Sequence, residues 1–398
     1  MPLIIFKYYD FFITSINDTG NLFGVVLNLK TLKLFLPIGI SFYTFLSLSY
    51  IIDVYKKQIK FESNFINHSL SLCYFPIILS GPIHRPRYLL QQLKSDTKFN
   101  YSLVTEGLRQ VLWGLFTKVV VADSLAKYVD KTFIEYDSLS GMTLLLGSIY
   151  FSFQLYFDFN GYSNMAIGVS KMLGINIERN FNYPYLSRTI ADFWKRWHIS
   201  LTKWFRDYIF LPISFSFSRK FKQGSFLNSD IVIYSVGILI TWTLTGLWHG
   251  ANWTFIVWGM IHAIFLILNK GFRKKKKKIL KKLGIKYKNK VLIIFESLIT
   301  FFIVNFAWIY FRSDSVNTSN IIIRKIFDIS LWNSIQISIY PILLIAVLVL
   351  VERIQKNKEF VLDIARNNVV FRWFSYIVLT FMVIYFSGNG QTFIYLGF

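Results

Sequence analysis

The sequence predicts an all-α, polytopic transmembrane helical bundle with re-entrant or interfacial amphipathic helices among its spans. Of its 398 residues 54% are hydrophobic and 19% aromatic against 16% charged, with mean hydropathy +0.44. That is more apolar surface than a soluble domain of this length carries. Several apolar runs approach the roughly 20 residues that cross about 30 Å of hydrocarbon as a helix, where every backbone group must be bonded internally. Lys and Arg gather in the polar stretches between those runs, as in loops that hold a topology.

The formal charge is +23, from 44 Lys+Arg and 21 Asp+Glu. In a soluble chain this would suggest nucleic acid, but no recognition module accompanies it, so no nucleic-acid partner is expected. Juxtamembrane contact with anionic membrane lipid accounts for it better. The single cysteine, Cys73, rules out an intrachain disulfide or a multi-thiolate metal site, and no metal site is expected. Its apolar neighbourhood, 70–79, suggests packing.

In order, residues 1–16 form an apolar, aromatic stretch that Lys7 and Asp10 make too polar for a confident span, and no basic leader or cleavage site suggests a cleavable signal. Spans are expected at 32–55 and 65–83. The second ends in Gly81-Pro82-Ile83-His84-Arg85-Pro86-Arg87, where two prolines and a glycine stop a helix. His84, Arg85 and Arg87 read either as a basic topology anchor or as groups for an anionic donor. Helical stretches follow at 103–129 and 142–173. The latter carries Gln154, Asp158 and Asn160, with Gln154 and Asp158 on one helix face. Such a face is expensive against lipid and should point inward. It would either line a tunnel, with Asn160, or hold helices together through hydrogen bonds.

Residues 192–208 read as one strongly amphipathic helix. Phe193, Trp194, Trp197, Leu201, Trp204, Phe205 and Tyr208 fall on one arc, opposite Lys195, Arg196, Lys203, Arg206 and Asp207. His198 borders the apolar arc; a purely interfacial helix is the alternative to a catalytic one. After a polar loop at 214–230, apolar runs at 231–247 and 253–268 flank Gly246-Leu247-Trp248-His249-Gly250-Ala251-Asn252-Trp253. An imidazole at membrane depth is costly and marks a functional path, so His249 is the candidate catalytic residue. It would lie at the outer face if both runs cross fully, or within the membrane if either is short or broken. A dense cationic loop, 270–290, should be cytoplasmic. Further spans at 291–311, 335–351 and 373–386 bring the expectation to nine to eleven membrane elements, without a transporter-like internal repeat.

Phe193-Trp194-Lys195-Arg196-Trp197-His198-Ile199-Ser200-Leu201, with Gly246 to Phe255 about fifty residues on, resembles the membrane-bound O-acyltransferase (MBOAT) family, closest to its bacterial alginate O-acetyltransferase-like branch. Gly81-Pro82-Ile83, the stretch from Tyr156 to Ser163, Phe181-Asn182-Tyr183-Pro184-Tyr185 and Gln391-Thr392-Phe393-Ile394-Tyr395 support the resemblance. It implies a single membrane-embedded acyltransferase domain over 1–398, with a tunnel where donor and acceptor meet from opposite faces. In that setting His249 matches the family's active-site histidine, His198 its second characteristic polar position, and Gln154, Asp158, Asn160, Trp248 and Asn252 are expected tunnel-lining residues. Two departures stand out. Relatives usually begin with further apolar segments before the counterpart of Met1, so N-terminal helices are expected to be lacking. Ile213-Ser214-Phe215-Ser216 also lacks the paired glycines often found there.

Moving an acyl group from a thioester to a hydroxyl needs a base, and neutral imidazole suits it. His249 is the expected base, while His198 orients or polarises the donor; His68, His84 and His262 read as structural. The expected donor substrate is cytoplasmic acetyl-CoA, with no bound cofactor, its phosphates suiting Lys195, Arg196, Lys203 and Arg206. Transfer could be direct or relayed. The resemblance implies a multi-pass protein of the bacterial inner membrane, an extracytoplasmic acetyltransferase partner and a polysaccharide acceptor such as alginate or peptidoglycan. Alternatives are D-alanyl transfer toward teichoic acid or a non-enzymatic export component.

Overall fold

The computed structural model describes residues 2–332, 334–355, 368–389 and 393–394. Sixteen α-helices run through them: α1 (Tyr9–Leu22), α2 (Ile40–Tyr55), α3 (Phe65–Leu72), α4 (Pro86–Leu93), α5 (Tyr101–Leu115), α6 (Asp123–Ile134), α7 (Gly141–Met172) and α8 (Ile190–Trp194) in the first half. The second half holds α9 (Ile199–Phe205), α10 (Leu211–Lys220), α11 (Asp230–His249), α12 (Trp253–Lys282), α13 (Lys290–Arg312), α14 (Val316–Phe327), α15 (Pro341–Gln355) and α16 (Val369–Phe386). No β-strand occurs among the described residues. The chain is a multi-pass, all-helical membrane protein.

The core is built on α7, most of whose 32 residues are buried. Its N-terminus is capped by Ser140, whose hydroxyl accepts from Thr143 N–H. Antiparallel to it lies α5, and glycines set how close the two come. A Cβ on Gly107 would stand 2.5 Å from Gly168 O, and one on Gly114 would stand 2.6 Å from Gly161 O. Glycines seven residues apart on each helix therefore meet in pairs, and backbone packs on backbone. A second hairpin, α11 and α12, uses the same device: a Cβ on Gly246 would stand 2.3 Å from Phe255 O. That contact brings the end of α11, and His249 with it, hard against the start of α12.

Several expected elements are redrawn. The helix expected over 32–55 starts only at Ile40, because Pro37 offers no N–H and Gly39 takes a left-handed φ of 76°. The stretch expected to be too polar for a span is helical from Ile4 to Leu22, opening with a π-helical segment, Ile4–Tyr8. The span expected at 65–83 shortens to α3, with irregular chain from 73 to 85 where Pro76, Gly81 and Pro82 deny it a helix. Cys73 closes α3 and is exposed, not packed. Residues 214–230 are not simply a loop, since α10 runs to Lys220. Nor is the lysine-rich stretch a loop: α12 carries straight on through it to Lys282, as expected of lysines with good helix propensity and no proline, and no glycine between Gly271 and Gly284. Among the described residues four helices, α11, α12, α13 and α16, are long and apolar enough to cross a membrane, and α2 is a shorter apolar helix. The other expected membrane elements are shorter, more polar or buried against these.

The largest redrawing concerns 192–208. That stretch is not one helix: α8 stops at Trp194, a turn follows, and His198 takes a left-handed φ of 42° before α9 begins. Residues 180–182 take over the backbone bonds, with Asn182 N–H donating to Arg196 O (2.9 Å) and Ile199 N–H to Asn180 O (2.9 Å). Tertiary pairing outweighs the local helical pattern. A left-handed non-glycine residue costs of order 1 kcal/mol, and such strain gathers at functional sites.

Candidate active site

Both candidate histidines lie in one aromatic cage. His249 is the last residue of α11 and is 3% exposed; His198, at the N-cap of α9, is 0% exposed. Both pack on the Trp248 ring, which is 4.8 Å from the His249 ring and 6.2 Å from that of His198. His249 meets Trp258 at 5.0 Å and Phe311 at 5.1 Å, while His198 meets the edge of Phe159 at 4.6 Å. Helices α7, α11, α12 and α13 therefore all supply walls.

The orientation of His198 is fixed. Asn180 Oδ1 accepts from the Ser200 backbone N–H (3.3 Å) and hydroxyl (2.9 Å), so it is an acceptor toward His198 Nδ1 at 3.2 Å as well. Nδ1 therefore carries the hydrogen, and Nε2 is the nitrogen with the lone pair. Ser200 in turn accepts from Ile83 N–H (2.9 Å), tying the Gly81-Pro82-Ile83 turn to this spot.

His249 is steadied by a residue far away in sequence. Lys7 Nζ donates to Trp248 O (2.6 Å) and His249 O (3.4 Å), and reaches Ser41 Oγ at 3.3 Å. These carbonyls belong to the last turn of α11, which lacks intrahelical donors, and a cation there also opposes the helix dipole. A third histidine joins the cage: His262, 0% exposed, is 5.1 Å from Trp258, and its Nδ1 accepts from Trp194 Nε1 at 3.2 Å. The indole N–H groups of Trp248, Trp258 and Trp308 are buried with no acceptor among the described residues. A buried donor left unsatisfied costs about 1–3 kcal/mol, so those of Trp248 and Trp258, both against His249, with Trp308 stacked behind Trp258, form a ready place for a substrate oxygen.

The other sequence-nominated residues scatter. Asp158 accepts from Lys118 Nζ (2.9 Å) and from Ile394 N–H (3.0 Å), and Lys118 also pairs with Asp123. This ties the end of the described chain to the middle of α7; of the motif there, Gln391, Thr392 and Tyr395 lie outside the described residues. Gln154 is 8% exposed on the same helix. Asn160 opens on a cavity of about 120 Å³ with Asn164, Arg179 and Glu352. Asn252 is the N-cap of α12, accepting from Thr254 N–H and donating to Asp314 O (3.0 Å). Of the basic residues, Lys195, Lys203 and Arg206 rim a largely apolar pocket of about 390 Å³ that reaches inward past Trp194 and Trp242 to Thr245, one turn before His249. Lys203 also pairs with Glu178 and Arg206 with Asp207 (2.7 Å), whereas Arg196 lies off that pocket and pairs with Asp192 at 3.0 Å. Arg85 is engaged by Asp207, and burial pushes the His84 imidazole down to about 4, which leaves that turn a poor anion site. Sequence reasoning overlooked Asn180 and Lys7 and set His262 apart; only the i, i+4 spacing of Trp258 and His262 gave a local sign.

Comparison with known proteins agrees with this architecture. The family described as MBOAT, membrane-bound O-acyltransferase family, matches residues 56–279. The probable alginate O-acetylase AlgI of Pseudomonas aeruginosa is 36% identical over 327 residues, 82% of this chain and 58% of the relative. The peptidoglycan O-acetyltransferase of Helicobacter pylori is 32% identical over 340 residues, covering 79% and 60%. The teichoic acid D-alanyltransferase of Bacillus subtilis is 31% identical over 245 residues, covering 61% and 60%. The chain belongs to the membrane-bound O-acyltransferase family. It spans about 60% of the length of these curated relatives.

Proposed function

We propose that this protein is a bacterial inner-membrane O-acetyltransferase that takes acetyl from cytoplasmic acetyl-CoA for O-acetylation of a cell-surface polysaccharide. The observation that carries this reading is the burial of His249 and His198 against the same Trp248 ring in one aromatic cage. His249 is the general base: it takes the proton of the acceptor hydroxyl as the oxygen bonds to the thioester carbonyl carbon. The C–S bond then breaks, and the proton passes to the leaving sulfur. His198, presenting a lone pair at Nε2, cannot polarise a carbonyl from that atom; it accepts a hydrogen bond and so orients a substrate donor group. Stabilising the developing oxyanion falls to the indole N–H groups of Trp248, Trp258 and Trp308. The pocket rimmed by Lys195, Lys203 and Arg206 is the donor's approach, its cations suiting phosphate and its apolar depth a thin acyl-bearing arm. An extracytoplasmic acetyltransferase partner would complete delivery, and residues 1–398 act as a single domain.

The test is transfer of labelled acetyl from acetyl-CoA by membranes holding wild type or a folded, equally abundant His249→Ala protein. A fall of roughly 10²–10⁴-fold is expected. Transfer undiminished in the variant would remove His249 from the chemistry. D-alanyl transfer, the activity named for the Bacillus subtilis relative, is the second reading; a wild type that ignores acetyl-CoA but moves labelled D-alanine would establish it instead.

A further inference from the structure

Beside the apolar donor pocket lies a second and larger cavity, of about 990 Å³, at the polar end of α12. One row of that helix faces it: Arg273, Lys276, Lys277, Leu280 and Lys281 line it, at the i, i+3, i+4, i+7 and i+8 positions of a single face. Arg188 and Lys195, from either side of α8, line the opposite wall. Six cations thus surround a space lined by one carboxylate, Asp192. The nearby acids are already engaged. Glu296 holds both Arg188 (2.6 Å) and Lys276 (2.6 Å), and Asp192 holds Arg196 (3.0 Å). Lys195, Arg273, Lys277 and Lys281 have no carboxylate within 4 Å among the described residues.

Four uncompensated cations converging from two elements repel one another, and a multiply charged anion between them would relieve that repulsion. A lysine-rich helix merely solvated by water would have no reason to align its charges with those of a wall about 80 residues away in sequence. We propose that this cavity is a binding site for clustered phosphates, held by Lys195, Arg273, Lys277 and Lys281. The volume admits a pyrophosphate-bearing ester or the headgroup of a diphosphate lipid, and the charge-assisted contacts from Lys and Arg suit either. The cavity shares Lys195 with the donor's approach, and its occupancy is read by binding, without acyl transfer.

The experiment uses the full-length protein in detergent at about 0.15 M salt, where diffuse surface attraction is largely screened. Inorganic pyrophosphate is titrated calorimetrically, and retention of cardiolipin over phosphatidylcholine is read by native mass spectrometry. Two triple variants lose equal charge from the same helix: Arg273→Gln/Lys277→Gln/Lys281→Gln inside the cavity, and Lys274→Gln/Lys275→Gln/Lys278→Gln outside it. Both lie in an exposed helical end, and helicity and monodisperse elution check that each folds. The expected result is binding weakened about tenfold or more by the cavity triple, roughly the loss of one charge-assisted contact, and less than about twofold by the outer triple. Pyrophosphate binding with that pattern identifies a soluble phosphate ester as the source; cardiolipin retention alone with that pattern identifies a lipid headgroup. Equal loss in both triples, or no binding of either probe to wild type, overturns the proposal.

Discussion

Lys7 shows what a residue in isolation can conceal. In the sequence it is a charge that spoils an apolar opening; in the fold its ammonium group holds the carbonyls of Trp248 and His249, 241 and 242 residues away. No periodicity or motif connects those positions, so only the tertiary structure could reveal the contact. Replacing Lys7 with Met keeps most of the apolar stem and removes the donor, leaving the last turn of α11 with buried unpaired carbonyls. A cost of about 1–3 kcal/mol is expected, read as a lower midpoint in thermal unfolding, with acetyl transfer falling as His249 loses its fixed backbone. Lys7→Arg should restore most of both. An unchanged midpoint in Lys7→Met would mean that the contact contributes nothing. The burial of His249 and His198, by contrast, was legible from sequence because each sits where an ionisable group is out of place among tryptophans.

At the scale of elements, apolar runs were legible and their edges were not. The hairpin of α11 and α12 was expected within a residue or two at its turn, because hydropathy changes sharply there. The broken helix at 192–208 was not, since its hydrophobic arc is real and only the pairing of Asn180 and Asn182 with Ile199 and Arg196 interrupts it. The glycine contacts of α5 with α7 also escaped, although spacing by seven residues on both helices was present in the sequence. They carry a clear prediction. Gly161→Ala puts a methyl group 2.8 Å from Gly114 O, with Thr117 Oγ1 at 3.0 Å. Overpacking of this kind costs about 1–3 kcal/mol, and the variant should unfold at a lower temperature than wild type in the same detergent. Gly271→Ala, a glycine in α12 with nothing within 4 Å of the added atom, should match wild type or exceed it slightly, since alanine favours helix.

For the whole molecule, charge distribution and hydropathy together predict orientation. The basic end of α12 continues a helix apolar enough to cross the membrane, and so dense a run of lysines favours the cytoplasmic side. In a Cys73→Ser background, a cysteine introduced at Lys278 should be labelled by a membrane-impermeant maleimide only after cells are opened. Labelling in intact cells would invert the topology and with it the proposed cytoplasmic approach of the donor. The class was readable because it rests on summed hydropathy, which needs no contacts. The inward placing of Asp158 was readable too. Its partner Lys118 was not, being forty residues earlier on another element.

The aromatic cage also gives the protein an optical signature of its own. Six of its eleven tryptophans, Trp194, Trp197, Trp242, Trp248, Trp258 and Trp308, cluster around the buried histidines His198, His249 and His262. Trp194 and Trp242 have ring centroids only 4.3 Å apart, and Trp258 stacks on Trp308 at 5.6 Å. Indoles this close share their excited states, so near-ultraviolet circular dichroism is dominated by coupled transitions from this one region, and an occupant of the cage would announce itself there without any label.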